Sequence, residues 1–306
     1  MTAIELDPTG SAVVSDLPHE EYLRHPALSA SGAKLLVQPA GPARFYHRLA
    51  HPEPPKRAFD VGHAVHAAVL GVDPGTELVL CSPTNRKGEP DGDPYPALDF
   101  KTKSAQEHRD AIRAAGRTPV LQSDLDLAAE MATALREHPV ASRLLHPTVG
   151  EPEVSLFWRD EAHDIDRRGR VDFLRQPDTK GRLILVDYKT CASAEPSAVA
   201  RSVVNFGYHQ QAAWYRDLVI GMGLAESAPV VFVFQETSAP YLVHVVELDD
   251  ATLFMGEDRN ERGMQLFHEC LATDVWPGYN DRGITTVSAP RWAQFEHEAA
   301  MIGEQA

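Results

Sequence analysis

The chain has 306 residues, 43% of them hydrophobic and 24% charged, with a formal net charge of −15 at pH 7. That length allows one large domain or two small ones with ample core, and the composition is ordinary for a globular protein. The acidic balance argues mildly against general affinity for nucleic acid, though ARFYHRL (Ala43 to Leu49) and DRRGR (Asp166 to Arg170) are local cationic clusters.

No apolar run is long enough to span a bilayer, so no membrane partner is expected. The start, MTAIELDPTGSAVVSDL, lacks the basic and apolar regions of a signal peptide. Cys81, Cys191 and Cys270 lie too far apart for a disulfide framework, a zinc site or an iron–sulfur cluster. The expectation is a reduced, cytoplasmic protein.

Residues 1–27 read as a polar lead-in with one short strand at most. LSASGAKLL offers Ser29 or Ser31 as a helix N-cap. The alanine-rich FDVGHAVHAAVLG, Phe59 to Gly71, predicts a strong helix closed by Gly71. Residues 82–106, dense in Pro, Gly, Asp and Lys, read as a long exposed loop. SDLDLAAEMATALREHP predicts a helix capped by Ser123 and ending near Pro139.

After Gly150 the texture changes. EVSLFWRD, RGRVDFLRQ and RLILVDYKT are short strand-like runs separated by polar turns, which predicts a meander. YHQQAAWYRDLVIGMG returns to helical periodicity, APVVFVFQE and YLVHVVELD are two further strands, and ATLFMGEDRNERGMQLFHECLA is a closing amphipathic helix. That order implies an α/β fold with a central mixed sheet flanked by helices. The expected division is the lead-in, a single domain over 28–280 (helical over 28–149, sheet core over 150–280) and a tail over 281–306.

ILVDYKTCAS, Ile184 to Ser193, carries the sharpest signal. Alternation places Asp187 and Lys189 on one face at the end of a buried strand, with Tyr188 on the other. Asp172 lies near the middle of the preceding strand, Glu153 opens the first, and His66 sits on the alanine-rich helix. In an antiparallel meander the carboxylates of Asp172 and Asp187 converge and repel unless a cation bridges them. Oxygen ligands suit Mg²⁺ or Mn²⁺, and a histidine tilts the preference toward Mn²⁺. A lysine beside such a site can orient or deprotonate a water and stabilise phosphate charge, as phosphodiester hydrolysis requires. Each residue alone has a plainer reading. D-x-K is often a surface ion pair, Asp172 can pair with Arg170 or Arg175, His66 can be a core histidine and Glu153 a solvated strand-edge charge.

Taken together and in order, these residues resemble the PD-(D/E)XK nuclease superfamily. Within it the chain is similar to the RecB-like group, and to phage and prophage nucleases of the RecE (exonuclease VIII) C-terminal type. Gly62 and His66 match a G-x-x-x-H motif, Glu153 the glutamate opening the first core strand, Gly169 and Asp172 a G-x-x-D motif, and Asp187 and Lys189 D-x-K. Gln211 and Tyr215 match the Q-x-x-x-Y motif of the RecB-like group, although Gln210 is adjacent. Val171 stands where the superfamily name has a proline. The likeness spans roughly residues 18–280.

The resemblance implies a restriction-endonuclease-like core and a divalent ion, Mg²⁺ or Mn²⁺, held by His66, Asp172, Asp187 and the backbone carbonyl of Tyr188. Lys189 would position the attacking water, with Glu153 as a further site acid. Gln211 and Tyr215 would support the site or contact DNA, their plainer reading being helix packing, with Trp214 between them as core. The implied activity is processive 5′-to-3′ exonuclease action on the ends of linear double-stranded DNA. The implied setting is recombination beside a single-strand annealing protein, with a homo-oligomeric ring. The alternatives are a structure-specific or single-strand endonuclease and a non-catalytic DNA-binding module. An acidic protein needs a locally cationic DNA path, for which Arg44, Arg48, Lys56 and Arg57 are the candidates. Phe45 and Tyr46 could stack on a DNA end or form a buried aromatic pair.

Overall fold

In chain order the elements are β1 (Ser11–Val14), α1 (His19–Arg24), β2 (Leu28–Ser29), α2 (Ala30–Leu36), α3 (Gly41–Ala50), α4 (Arg57–Leu70), β3 (Thr76–Leu78), β4 (Leu80–Cys81), β5 (Tyr95–Pro96), α5 (Lys103–Ala114) and β6 (Thr118–Val120). There follow α6 (Gln122–Glu137), α7 (Ala141–Leu144), β7 (Gly150–Asp160), β8 (Ile165–Arg175), β9 (Ile184–Cys191), α8 (Pro196–Asn205), α9 (Tyr208–Gly221), β10 (Val230–Glu236), β11 (Val243–Glu247), α10 (Asp250–Thr273) and α11 (Arg291–Gly303). The computed structural model describes residues 7, 10–51, 57–72, 75–83, 92–177, 182–280 and 283–303.

The main sheet runs β1-β7-β8-β9-β10-β11. β7, β8 and β9 form the antiparallel meander that their short polar turns require. β10 lies parallel to β9, because the chain returns through the crossover helices α8 and α9, and β11 closes the sheet antiparallel. The sheet is therefore mixed, and helices cover both faces. Leu36 of α2, Trp214 and Leu218 of α9 and Phe267 of α10 pack with Leu185 and Phe232 on one side. Val65 of α4 and Met131 and Leu135 of α6 pack with Val186, Tyr188 and Val233 on the other. The fully buried Trp214 donates its indole N–H to the Arg168 carbonyl at 2.9 Å, so its polar atom is satisfied within the core. Truncation to alanine there should cost about 3–5 kcal/mol.

Ser29 is the N-cap of α2, accepting from the Gly32 N–H at 3.2 Å, and Gly71 ends α4 in the left-handed region at φ +71°. Other expectations need correction. Besides the one short strand allowed for, β1, which pairs with β7, the N-terminal lead-in contains the helix α1, whose Tyr22 packs against Phe157. α6 is not capped by Ser123. Its N-cap is Leu121, whose N–H donates to the Asp124 carboxylate at 2.6 Å, because an acid at the third helical position reaches back to the free amide. The described part of 82–106 is not one exposed loop. It holds β5, the start of α5 capped by Thr102, and the buried Ala97 and Ala105 of a small separate core with Val79 and Ile112. α8, which buries Val199 and Val203, and α11, in the expected tail, are two further helices beyond those expected.

Candidate metal centre

The site sits where the meander comes apart. On its far edge β8 is shared, with β9 pairing to Phe173–Arg175 and β2 to Arg167 and Arg168, so residues 169–172 pair with neither. Continued by one step, the β8–β9 ladder would set Asp172 directly opposite Asp187, an unfavourable like-charge pair. Instead the ladder stops at Phe173, and Asp172 Oδ2 accepts a 2.8 Å hydrogen bond from the Tyr188 N–H.

On the near edge, Pro152 pairs with Phe173 and Val154 with Val171, and between them Glu153 takes φ +53°. A left-handed glutamate inside a strand costs roughly 1–2 kcal/mol, and such strain concentrates at functional sites. The distortion is also visible in packing. Val171 and Phe173, two residues apart, join the cores on opposite sides of the sheet, against the usual alternation.

His66 reaches this break from α4, a helix that turns Val65 and Leu70 into the core and Phe59, Gly62, His63 and His66 toward a cleft. Its Nε2 lies 3.1 Å from Asp172 Oδ2, and its Nδ1 lies 3.1 Å from Glu153 Oε1. Among the described residues, the ligand atoms of His66, Glu153 and Asp172 all lie within 4.8 Å of one another. Asp187 adjoins them, 1% exposed, with Oδ1 2.5 Å from Lys189 Nζ and Oδ2 accepting from Gln211 Nε2 at 2.7 Å. Despite the short contact with Lys189, Oδ1 has no partner in hydrogen-bonding geometry.

A divalent cation fits these residues. Three oxygen- or nitrogen-bearing side chains converge beside the buried Asp187 carboxylate, and 3.1 Å is close to the about 2.9 Å edge of an octahedron with 2.0–2.1 Å bonds.

Without such an ion, protons and side-chain cations balance the charge. Burial alone would lower the His66 imidazole, but Asp172, and then Glu153, push it up to about 10. Burial also opposes ionisation of Asp172, yet the facing His66, with Lys189 and the Tyr188 N–H, holds it below the usual carboxylate range. For Asp187 burial wins, raising it to about 7 against the pull of Lys189. Burial disfavours the Lys189 ammonium, but Asp187 and Asp172 keep it well above the ordinary lysine range.

α9 supports the arrangement. A Cβ on Gly169 would lie 2.8 Å from Leu218 Cδ1 and 3.0 Å from the Tyr215 ring, so the bare residue lets α9 settle against β8. That close approach brings Gln211, not Gln210, to Asp187. Gln211 Nε2 also lies 3.2 Å from Tyr215 Oη, whereas Gln210 bonds Asn260 and Arg259 within the core. The Tyr188 side chain points to the opposite face, its hydroxyl donating to Gln235 Oε1 at 2.6 Å.

The structure thus brings together His66, Glu153, Asp172, Asp187, Lys189, Gln211 and Tyr215. The pairing of Asp172 with Arg170 or Arg175 does not form. Arg170 instead lies 3.6 Å from Glu153 Oε2, since both side chains leave the β7–β8 pair on the cleft side.

The four candidate DNA-path cations do not gather. Arg57 is ion-paired with Asp124, and Arg44 donates to the Tyr279 hydroxyl at 2.8 Å. Arg48 lies on α3 away from the cleft lining, and Lys56 lies outside the described residues. Phe45 stacks on Trp276 and meets Phe267, a core role, while Tyr46 is half exposed against the same tryptophan. The cleft, 590 Å³, is lined instead by Lys34, Arg170, His19 and His63. Of these, Arg170 belongs to the DRRGR cluster that stands out in the sequence, and His63 lies one turn before His66. His19 and Lys34 come from elements with no visible link to the motifs.

The chain belongs to the family described as the PDDEXK-like domain of unknown function (DUF3799), whose model matches residues 29–283. Its central mixed sheet flanked by helices is the fold of that nuclease-like class. A crystal structure of a "Putative exonuclease" from Eubacterium rectale shares this fold, with a TM-score of 0.57 at 13% identity over 95% of this chain and 98% of that one. SSO0001 (TM-score 0.29, 16% identity, 68% of this chain and 85% of that one) and protein VC1899 from Vibrio cholerae (0.26, 10%, 89% and 60%) overlap too poorly to carry an argument. No curated protein sequence matches the chain significantly. Among the described residues no helix is long and apolar enough to cross a membrane.

Proposed function

We propose that the protein is a divalent-metal-dependent deoxyribonuclease acting as an exonuclease on the ends of linear duplex DNA. The observation that carries this reading is the convergence of His66, Glu153 and Asp172 beside the Asp187–Lys189 pair, in an open cleft on a PDDEXK-like sheet. His66, Glu153, Asp172 and Asp187 would hold Mg²⁺ or Mn²⁺, with the Tyr188 carbonyl as a further ligand. When bound, such an ion polarises a phosphoryl oxygen and acidifies a water.

The chain's own residues prepare the rest. Gln211 fixes one oxygen of Asp187, and Lys189 faces the other at 2.5 Å. Lys189, an ammonium 5.1 Å from the centre of the Tyr208 ring, can hydrogen-bond the attacking water or a phosphate oxygen and offset developing charge. The description of the Eubacterium rectale neighbour supports end-directed cleavage.

Processive 5′-to-3′ polarity, a ring of several copies and a role in recombination beside a single-strand annealing protein complete the proposal. Duplex DNA labelled at either 5′ or 3′ end, incubated with Mg²⁺ or Mn²⁺ and with a chelator, tests it. Early release of the 5′ label, lost with the chelator, is expected. Equal cleavage of closed circular DNA would replace exonuclease by endonuclease.

A further inference from the structure

β10 reads VVFVFQE, a run of buried apolar residues followed by Gln235, which is fully buried with them. A leucine or methionine would fill that place with no polar atoms to satisfy. Gln235 instead engages three partners. Its Oε1 accepts from the Tyr188 hydroxyl at 2.6 Å, and its Nε2 donates to the carbonyls of Met131 at 2.8 Å and Tyr241 at 3.4 Å. Met131 lies inside α6, so this side chain ties the sheet to the helix layer above it.

Tyr188 raises the same question from the other side of the bond. It stands between Asp187 and Lys189, 3% exposed, with its ring in the core shared by α4 and α6. Phenylalanine would bury as much ring without a hydroxyl to satisfy. Replacing both members of a buried polar pair by apolar groups of similar shape is nearly neutral for stability. Stability alone therefore does not call for a tyrosine facing a glutamine.

The geometry around Tyr188 does. Its N–H holds Asp172 Oδ2 at 2.8 Å, and its ring centre lies 6.0 Å from that of His66, tilted by 57°. His66 projects from α4, whose Val65 shares a core with Met131 of α6. The contacts close a loop. It runs from α6 to Gln235, to Tyr188, to Asp172, to His66 and through α4 back to α6.

We propose that Gln235 is a positioning residue for the metal centre. Acting through the Tyr188 hydroxyl, it fixes where β9 stands relative to α4, and with it the spacing of His66, Asp172 and Asp187 around a divalent ion. Groups behind the ligands set metal affinity in this way by a factor of about 10 to 100. The inference rests on the metal centre described above, and neither side chain lines the cleft.

Tyr188→Phe, Gln235→Met and the double variant test it, with Mn²⁺ binding followed by calorimetry beside denaturant melts. Each single variant strands a buried polar atom and should melt below the parent, whereas the double variant removes both and should recover most of the loss. Mn²⁺ affinity should fall about tenfold in all three, and stay low in the double variant although its fold is restored. On end-labelled duplex, kcat should fall with KM for DNA unchanged, since the substrate touches neither residue. A core pair without influence on the centre predicts parental Mn²⁺ affinity once stability is recovered. That result, or parental affinity in Tyr188→Phe, would overturn the inference. If the double variant does not fold, Tyr188→Phe, which deletes a single hydroxyl, decides alone. Failure of the unmutated protein to bind Mn²⁺ would instead sink the metal centre itself, so the two failures are separable.

Discussion

At the two ends of one strand pair, β7 and β8, the protein builds clusters from the same residue types. At one end His66 bridges Glu153 and Asp172, with Arg170 nearby. At the other, His163 bridges Asp160 and Glu261 at 2.9 and 2.8 Å, with Arg167 paired to Asp160 at 2.9 Å and to Asp217 at 2.5 Å. The second cluster has an arginine at its centre, between Asp160 and Asp217. Arg167 is buried between the rings of Trp158 and Trp214, 5.2 and 4.2 Å from their centres, and Asp160 is buried with it. The first opens on a cleft, its two acids face each other across adjacent strands, and the buried Asp187 carboxylate adjoins them. Residue types alone do not distinguish a metal centre from a structural ion network. Convergence of oxygens on one accessible point does.

Matched substitutions should break the two ends differently. Asp172→Asn should lower cleavage by about 10³-fold, the several kcal/mol expected for loss of a metal ligand, as should a chelator. Asp160→Asn should leave activity per folded molecule intact but cost about 3 kcal/mol of stability, because Arg167 then lies buried with half its charge partners gone. Denaturant melts beside initial rates check both. Equal loss of activity in the two variants would erase the distinction.

A smaller effect separates ligand from catalyst. Lys189→Ala should lower turnover by about 10²-fold while divalent binding, followed by calorimetry, persists or tightens as a nearby positive charge is removed. Loss of metal binding along with activity would make Lys189 a structural partner of Asp187.

The smallest effect is a proton. With His66 raised from 6.5 to about 10, its ion pairs stabilise the metal-free protein fully below pH 6.5, and that contribution is lost as pH rises through about 10. A divalent ion must displace this proton, so its affinity should rise with pH across that window. Calorimetry in buffers of different ionisation enthalpy should show about one proton released from His66 per ion bound near neutral pH, with a further fraction from Asp187. His163 is raised too, but its cluster should contribute nothing to that release. An identical proton count in His66→Ala would assign the proton elsewhere.

Much of this architecture was legible because it depends on short periods. A two-residue repeat put Asp187 and Lys189 on one face and Tyr188 on the other, and a four-residue step aligned Gln211 with Tyr215. The Ser29 cap and the Gly71 stop are equally local. Elements held by contacts with distant residues were missed. α1 relies on Tyr22 against Phe157 and beneath the Arg168 and Arg170 guanidinium groups, and its own six residues carry no usable pattern.

The metal centre divides in the same way. Its residue types were visible along the chain, but their bonding was decided where β8 and β9 fork. There Asp172 turns to the Tyr188 N–H, Glu153 on the neighbouring strand takes a left-handed backbone, and His66 spans both acids. Pairing energies there depend on burial and on angstrom-scale separations between strands and helices far apart in sequence. Such distances exist only once the sheet has formed, which is why Arg170 met Glu153 and why Glu153, read as one acid among several, became the facing partner of Asp172.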